Sequence, residues 1–178
     1  YFVDLSIRRD GSSLFGENNR WATFGAAAAM WKISREKFME GTKSWLNNLD
    51  LKASYGTTGN SGIGAYLALG LVGTGPLYDG NSGSAIANPS NPDLSWEKVK
   101  TFNLGISARL FNRIDIDLEY YNKETSDMLM DIPYSYTTGF SGGYGNVATM
   151  TNKGFDFDIN KIKKAEDSFK NAMKKYFL

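Results

Sequence analysis

Five stretches of this chain alternate apolar and polar residues one for one, the period of an extended strand with unlike faces. Tyr1, Val3, Leu5 and Ile7 alternate with Asp4, Ser6 and Arg8. Leu49, Leu51, Ala53 and Tyr55 alternate with Asp50, Lys52 and Ser54. Phe102, Leu104, Ile106, Ala108 and Leu110 alternate with Asn103, Gly105, Ser107 and Arg109. Ile114, Ile116, Leu118 and Tyr120 alternate with Asp115, Asp117 and Glu119, and Phe155, Phe157 and Ile159 bracket Asp156 and Asp158. A sixth strand is expected from Trp21 to Trp31, where an Ala run leaves the facing open. The fold class is therefore all-β, built from antiparallel up-and-down strands. No apolar run approaches the roughly 20 residues of a membrane helix.

The connections alternate in length. Residues 11–19, 57–96 and 131–152 are long and rich in Gly, Ser and Asn, whereas 33–48 and Phe111-Asn112-Arg113 are compact. The compact segment predicts a short helix near 35–46, with Ser34 as N-cap and Phe38 and Trp45 on its apolar side. If successive strands run in opposite directions, the three long loops share one end and the two compact turns the other. Outer-membrane barrels have this asymmetry. Alternation alone also suits a soluble sheet with one wet face. The aromatics bear on the choice, since Trp21, Trp31, Trp45 and Tyr120-Tyr121 are spaced as interfacial girdles would be. Core packing in a β-sandwich is the competing expectation.

Residue types exclude much chemistry. The chain has no Cys and no His, and its 20 basic and 19 acidic residues balance to +1. Thiol chemistry and imidazole ligation are closed off, and no charge excess favours nucleic acid. Asp115, Asp117, Glu119, Asp156 and Asp158 imitate paired catalytic carboxylates, yet alternation puts them on strand faces opposite Arg109 and Lys52. Asp79-Gly80-Asn81 is only a weak hint of a calcium turn. The run Gly59 to Gly64 lacks the Lys-Ser/Thr ending of a phosphate loop. No catalytic residue, metal site or cofactor is expected.

Five motifs occur in order: S-I-R-R-D-G-S-S-L-F-G-E-N-N-R-W from Ser6, L-K-A-S-Y-G-T-T-G-N from Leu51, N-P-D-L-S-W-E-K-V-K-T-F-N from Asn91, R-I-D-I-D-L-E-Y-Y-N-K-E-T-S-D-M-L from Arg113, and N-V-A-T-M-T-N-K-G-F-D-F-D-I-N from Asn146. Together they closely resemble the barrel region of SusC/RagA-type TonB-linked outer-membrane transporters over about residues 1–160. That resemblance implies a transmembrane barrel of about 22 strands filled by a plug, of which these residues supply about six strands. It implies a SusD-like surface lipoprotein as lid, TonB acting on a plug that lies outside this sequence, contact with membrane lipid, and oligosaccharide or peptide cargo. The implied location is a Gram-negative, Bacteroidetes-type outer membrane.

The pattern is departed from in two places. Gly25 stands where the family usually has Pro. From Lys161 the alternation stops, and Ile162, Ala165, Phe169, Ala172 and Met173 fall at helical spacing among lysines. The expected division is thus a partial barrel over 1–160 and an atypical basic tail over 161–178, helical near 162–176, reading as truncation or frameshift. Tyr66, Tyr78, Tyr134, Tyr136, Phe140 and Tyr144 occupy the long loops, where aromatic faces suit sugar stacking or a protein lid. Two other functions stay open at this point: a soluble secreted glycan-binding β-domain using the same aromatics, and an inactive gene remnant.

Overall fold

The computed structural model describes residues 1–161, without the side chains of residues 76–78. The helix expected near 162–176 lies outside the described residues. Six strands form one antiparallel sheet: β1 (Phe2–Gly11), β2 (Trp21–Lys32), β3 (Leu46–Asn60), β6 (Glu97–Leu110), β7 (Ile114–Pro133) and β8 (Gly142–Lys161), adjacent in that order. A separate two-stranded hairpin, β4 (Leu71–Tyr78) and β5 (Asn81–Asn88), grows from the connection between β3 and β6. The main sheet is open, with β1 and β8 at its edges.

Direction alternates at every step, so loops 12–20, 61–96 and 134–141 gather at one end and the two short connections at the other. The Phe111-Asn112 turn places both residues at positive φ (52° and 53°), the geometry of the two-residue hairpin turn that follows strand twist. Phe111 N–H donates to Trp45 O at 2.7 Å and Asn112 N–H to Asn47 Oδ1 at 2.6 Å, holding this strained turn against the neighbouring connection.

Three expectations change. The helix near 35–46 is not one α-helix but two 3₁₀ pieces, Ile33–Arg35 and Lys37–Thr42. Ser34 caps neither; its Oγ meets Asn48 Oδ1 at 3.2 Å. Phe38 and Trp45 are exposed rather than packed on an apolar side. A segment this short, with Gly41 inside it, cannot offset the cost of nucleating an α-helix. The 57–96 stretch is not loop throughout, because β3 runs to Asn60 and β4–β5 fills its middle. The 131–152 stretch is mostly ladder, from Pro133 opposite Gly142 to Glu124 opposite Thr151. Gly142 and Gly145 are close-approach positions rather than breaks, whereas Gly139 is a turn residue at φ 83°. A Cβ on Gly142 would lie 2.8 Å from Ile132 O, and one on Gly145 2.8 Å from Ile132 Cδ1.

The departure at Gly25 has a local consequence. Its N–H donates to Thr57 Oγ1 at 3.0 Å, and the Thr57 hydroxyl donates back to Gly25 O at 3.2 Å. This side-chain bridge lies just past the last β2–β3 ladder pair, Ala26 opposite Gly56. A proline there has no N–H to give.

The buried core is small and sits at the long-loop end, not across a sheet face. Phe15, Phe24, Ala68, Leu94 and Trp96 form it, with Leu94 fully enclosed. The Phe15 and Phe24 rings approach Trp96 at centroid distances of 5.0 and 5.8 Å. Leu94→Ala should destabilise the loop assembly by about 2–5 kcal/mol. Urea titration of the protein, folded in its membrane, with Trp96 fluorescence as probe measures this; an unchanged midpoint contradicts the packing described.

Candidate functional site

The sheet register settles which side chains share a face. On one face, successive cross-strand rows read Tyr1, Trp31, Leu51, Ile106, Leu118, Phe157 and then Val3, Ala29, Ala53, Leu104, Tyr120, Phe155. These apolar groups stay in the open. Leu5 is 74% exposed, Phe157 65% and Leu104 41%, and no second sheet covers them among the described residues. A β-sandwich core is thereby ruled out for this face. Phe102, Tyr120 and Phe155 run across three strands at centroid distances of 6.5 and 5.1 Å.

The belt has two edges. Trp21 and Trp31 lie on this same face at opposite ends of β2, which resolves the facing of the Ala run. Their ten steps at about 3.3 Å each span roughly 33 Å along the strand. With a barrel tilt near 40° that becomes about 25 Å along the normal, the height of an outer-membrane apolar band. At the compact end Tyr1 stacks on Trp31 at 6.0 Å, and Trp31 Nε1–H donates to Glu36 Oε1 at 3.0 Å. At the loop end the Arg9 guanidinium covers the Trp21 ring at 5.2 Å. Beyond Phe102 the face turns charged, with Lys98–Asp127 at 3.0 Å and Lys100–Glu124 at 3.3 Å. Exposed pairs of this kind add little stability, but they mark where apolar contact ends. Of the two tyrosines in β7, Tyr120 joins the belt, whereas Tyr121 turns to the other face over Gly154.

That other, concave face is polar. Arg109 donates to both carboxylate oxygens of Asp115, at 2.6 and 2.9 Å. Lys52 Nζ donates to Ser107 Oγ at 2.8 Å, and the Ser107 hydroxyl donates to Asp117. The anticipated opposition of acids to Arg109 and Lys52 is therefore present for Asp115 and Asp117. Further along, Glu119 stands opposite Asp156 and Asp117 opposite Asp158, like charges in direct register. Glu119, Asp156 and Asp158 make no ion pair among the described residues. A trough of about 510 Å³ on this face is lined by Phe2, Asp4, Met30, Lys52, Asn103 and Glu119, among others. It lies along the strands, well below the loop aromatics.

At the loop end the predicted contact residues are scattered. Tyr66 (65% exposed) and Tyr136 (85%) project outward, while Tyr134 and Tyr144 are less open at 36% and 38%. Tyr134 packs near Pro89 around Gly143, where an added Cβ would meet both at 3.1 Å. Phe140 is half-buried, and the Tyr78 side chain lies outside the described residues. No two of the five described rings stack on each other. Asp79-Gly80 proves to be a hairpin turn, with φ of 50° and 76° between β4 and β5, rather than a cation loop. Among the described residues no acidic cluster suited to a metal is present. Sequence reasoning missed Asn91 and Asn146. Asn91 Nδ2 donates to Tyr144 O at 2.8 Å, and Asn146 joins Ser95 to Asp127. The visible signal was an Asn-Pro-Asp-Leu-Ser-Trp run, too patterned for a loose loop.

An apolar belt about 25 Å tall outside, a polar wall inside, and long loops at one end only define a segment of outer-membrane barrel. The profile of the family described as TonB dependent receptor-like, beta-barrel matches residues 1–172, and the chain belongs to that family. TonB-dependent receptor P26 of Formosa agariphila is 37% identical over 95% of this chain, and SusC of Bacteroides thetaiotaomicron 33% over 90%. A chain in the structure of the RagAB peptide importer in its closed-closed state superposes with a TM-score of 0.82 at 42% identity over 92% of this chain. These matches cover 17%, 17% and 18% of those proteins, so the chain spans under a fifth of their length. Family membership makes it outer-membrane wall and not an enzyme.

The face assignment has a sharp consequence. Leu104→Arg should lose about 2–4 kcal/mol, the cost of a cation near the bilayer midplane, whereas Asn103→Arg on the polar face should cost far less. Unfolding of both variants in phospholipid bilayers measures the difference; equal losses contradict the assignment.

Proposed function

We propose that this segment supplies wall and outer loops to an active importer that carries oligosaccharides or short peptides across the outer membrane. A SusD-like surface lipoprotein closes the loop end, and TonB pulls on a plug held in the lumen. The observation that carries the reading is the pairing of the apolar belt with a polar, charge-studded inner wall. Such a wall suits an aqueous or plugged lumen and nothing packed as a hydrophobic core. The like-charge register of Glu119–Asp156 and Asp117–Asp158 supports a plug as well. Opposed carboxylates destabilise a sheet, and basic groups on a plug would offset them.

Cargo or lid contact falls to Tyr66, Tyr78, Tyr134, Tyr136, Phe140 and Tyr144. Rigid aromatic faces stack on sugar rings and provide contact area at low entropic cost. Peptide cargo gains support from the RagAB likeness, since that relative is a peptide importer by its own description.

Uptake by cells carrying the intact transporter tests the proposal. Labelled peptide and oligosaccharide mixtures are offered with and without a protonophore. One class should enter in energised cells only. Tyr134→Ala with Tyr144→Ala should weaken binding of that class by about five- to tenfold, matching roughly 1 kcal/mol of aromatic contact. Uptake that survives both gene deletion and the protonophore sinks the reading.

A further inference from the structure

The six residues Asn91 to Trp96 touch loops 12–20 and 61–70 and the β7–β8 ribbon. Toward 12–20, Gly16 N–H donates to Leu94 O at 3.1 Å, Asn19 Nδ2 to Asp93 O at 3.0 Å, and Trp96 Nε1 to Arg20 O at 3.3 Å. A Cβ on Gly16 would fall 1.6 Å from Pro92 O, so the two backbones are in direct contact. Toward 61–70, Asn91 N–H donates to Ala68 O at 3.1 Å, and Ala68 is buried in the same apolar cluster as Leu94. Toward β7 and β8 the link is Asn146. Its Nδ2 donates to Ser95 O at 2.9 Å and to Asp127 O at 2.8 Å, while its Oδ1 accepts from Ser95 N–H at 2.9 Å.

Both amide hydrogens and the carbonyl of Asn146 are thus used, on partners 51 and 19 residues away. Asp127 holds φ of +56°, a conformation that costs a non-glycine residue energy and needs surrounding structure to keep it. It sits at the register shift between Thr125 and Met128, where the β7–β8 ladder is interrupted. The missing ladder contact at that break is replaced by a side chain that also grips the 91–96 segment. Only an amide of this length offers two donors and one acceptor to three backbone groups.

We infer that Asn146 is a positioning residue that locks loops 12–20, 61–70 and 89–96 and the β7–β8 ribbon into one cooperative rim. The β4–β5 hairpin stands outside this block. Asn88 joins its base to the end of the 61–70 segment, donating to Leu69 O at 2.7 Å, and accepts from Leu71 N–H at 3.3 Å. The inference is independent of which cargo is carried.

Amide hydrogen exchange on the intact outer-membrane protein carrying this segment tests it, with Gly16, Asn91, Ser95 and Leu129 as reporters. In the unaltered protein these amides should open together, with one common denaturant dependence. Asn146→Ala should accelerate exchange at all four by about tenfold or more, as expected on losing part-buried hydrogen bonds worth about 1.4 kcal/mol or more together, while Asn103 to Ser107 stay unchanged. Asn146→Asp keeps the shape and one acceptor but loses both donors, and should give the same pattern. If only Ser95 speeds up while Gly16 and Asn91 hold their rates, the loops are independent and the inference fails. Should both variants fail to assemble, the unaltered protein still decides: Gly16 exchanging tenfold faster than Ser95 overturns a common rim.

Discussion

Every backbone N–H and C=O that enters hydrocarbon must find its partner within the protein, and the rest of this structure follows from that requirement. A strand meets it only through neighbours on both sides. The ladders here run continuously through the apolar belt: β3 pairs with β6 from Leu49 to Asn60, and β6 with β7 from Lys98 to Leu110. The shift at Leu46/Asn48 lies toward the compact turns and that at Thr125/Met128 toward the loops. The irregular backbone is thus confined to levels where water or loop side chains can satisfy it.

Once the strands are fixed, side-chain period two does the remaining sorting. One face carries Leu5, Ala53, Leu104 and Phe157 into an apolar solvent, so their exposure is no defect. The other carries Lys52, Ser107, Arg109 and Asp115 toward the lumen. What would be the core of a soluble domain is replaced by lipid contact, and the small buried cluster around Leu94 serves a different purpose. It organises the loops. Phe15, Phe24 and Trp96 come from three separate chain segments and meet toward the loop end, where hydrogen-bonded Asn91 and Asn146 complete the junction.

Much of this is legible in the sequence. Alternation marks five of the six wall strands, and alternating loop length places the two ends, because both patterns are properties of consecutive residues. The Ala run from Ala26 to Ala29 was not readable, since small side chains carry no facing signal; only the register against Leu5 and Tyr55 settles it. Gly142, Gly143 and Gly145 read as loop because glycine usually marks a break, yet Gly142 and Gly145 lie against Ile132 of β7 and Gly143 against Pro89 and Tyr134. Asp79-Gly80-Asn81 has the residue types of a weak cation turn, but Asp79 and Gly80 serve as a two-residue hairpin turn between Leu71–Tyr78 and Asn81–Asn88. Asn146 was invisible for another reason. Its partners Ser95 and Asp127 are far away in sequence, and a lone polar residue beside Val147 and Ala148 gives no sign of bridging. The six loop aromatics are a proposal drawn from residue type and place in the long connections.

The central claim is that even- and odd-numbered positions of β6 face different solvents. The chain has no cysteine, so single cysteines can be placed at each position from Phe102 to Leu110 and spin-labelled in the membrane-embedded protein. Collision rates with lipid-soluble oxygen and with a water-soluble nickel chelate then report the surroundings of each label. The account predicts a period of two, with 102, 104, 106, 108 and 110 reached by oxygen and 103, 105, 107 and 109 shielded from it. Labels reached equally by the chelate at all nine positions would contradict it.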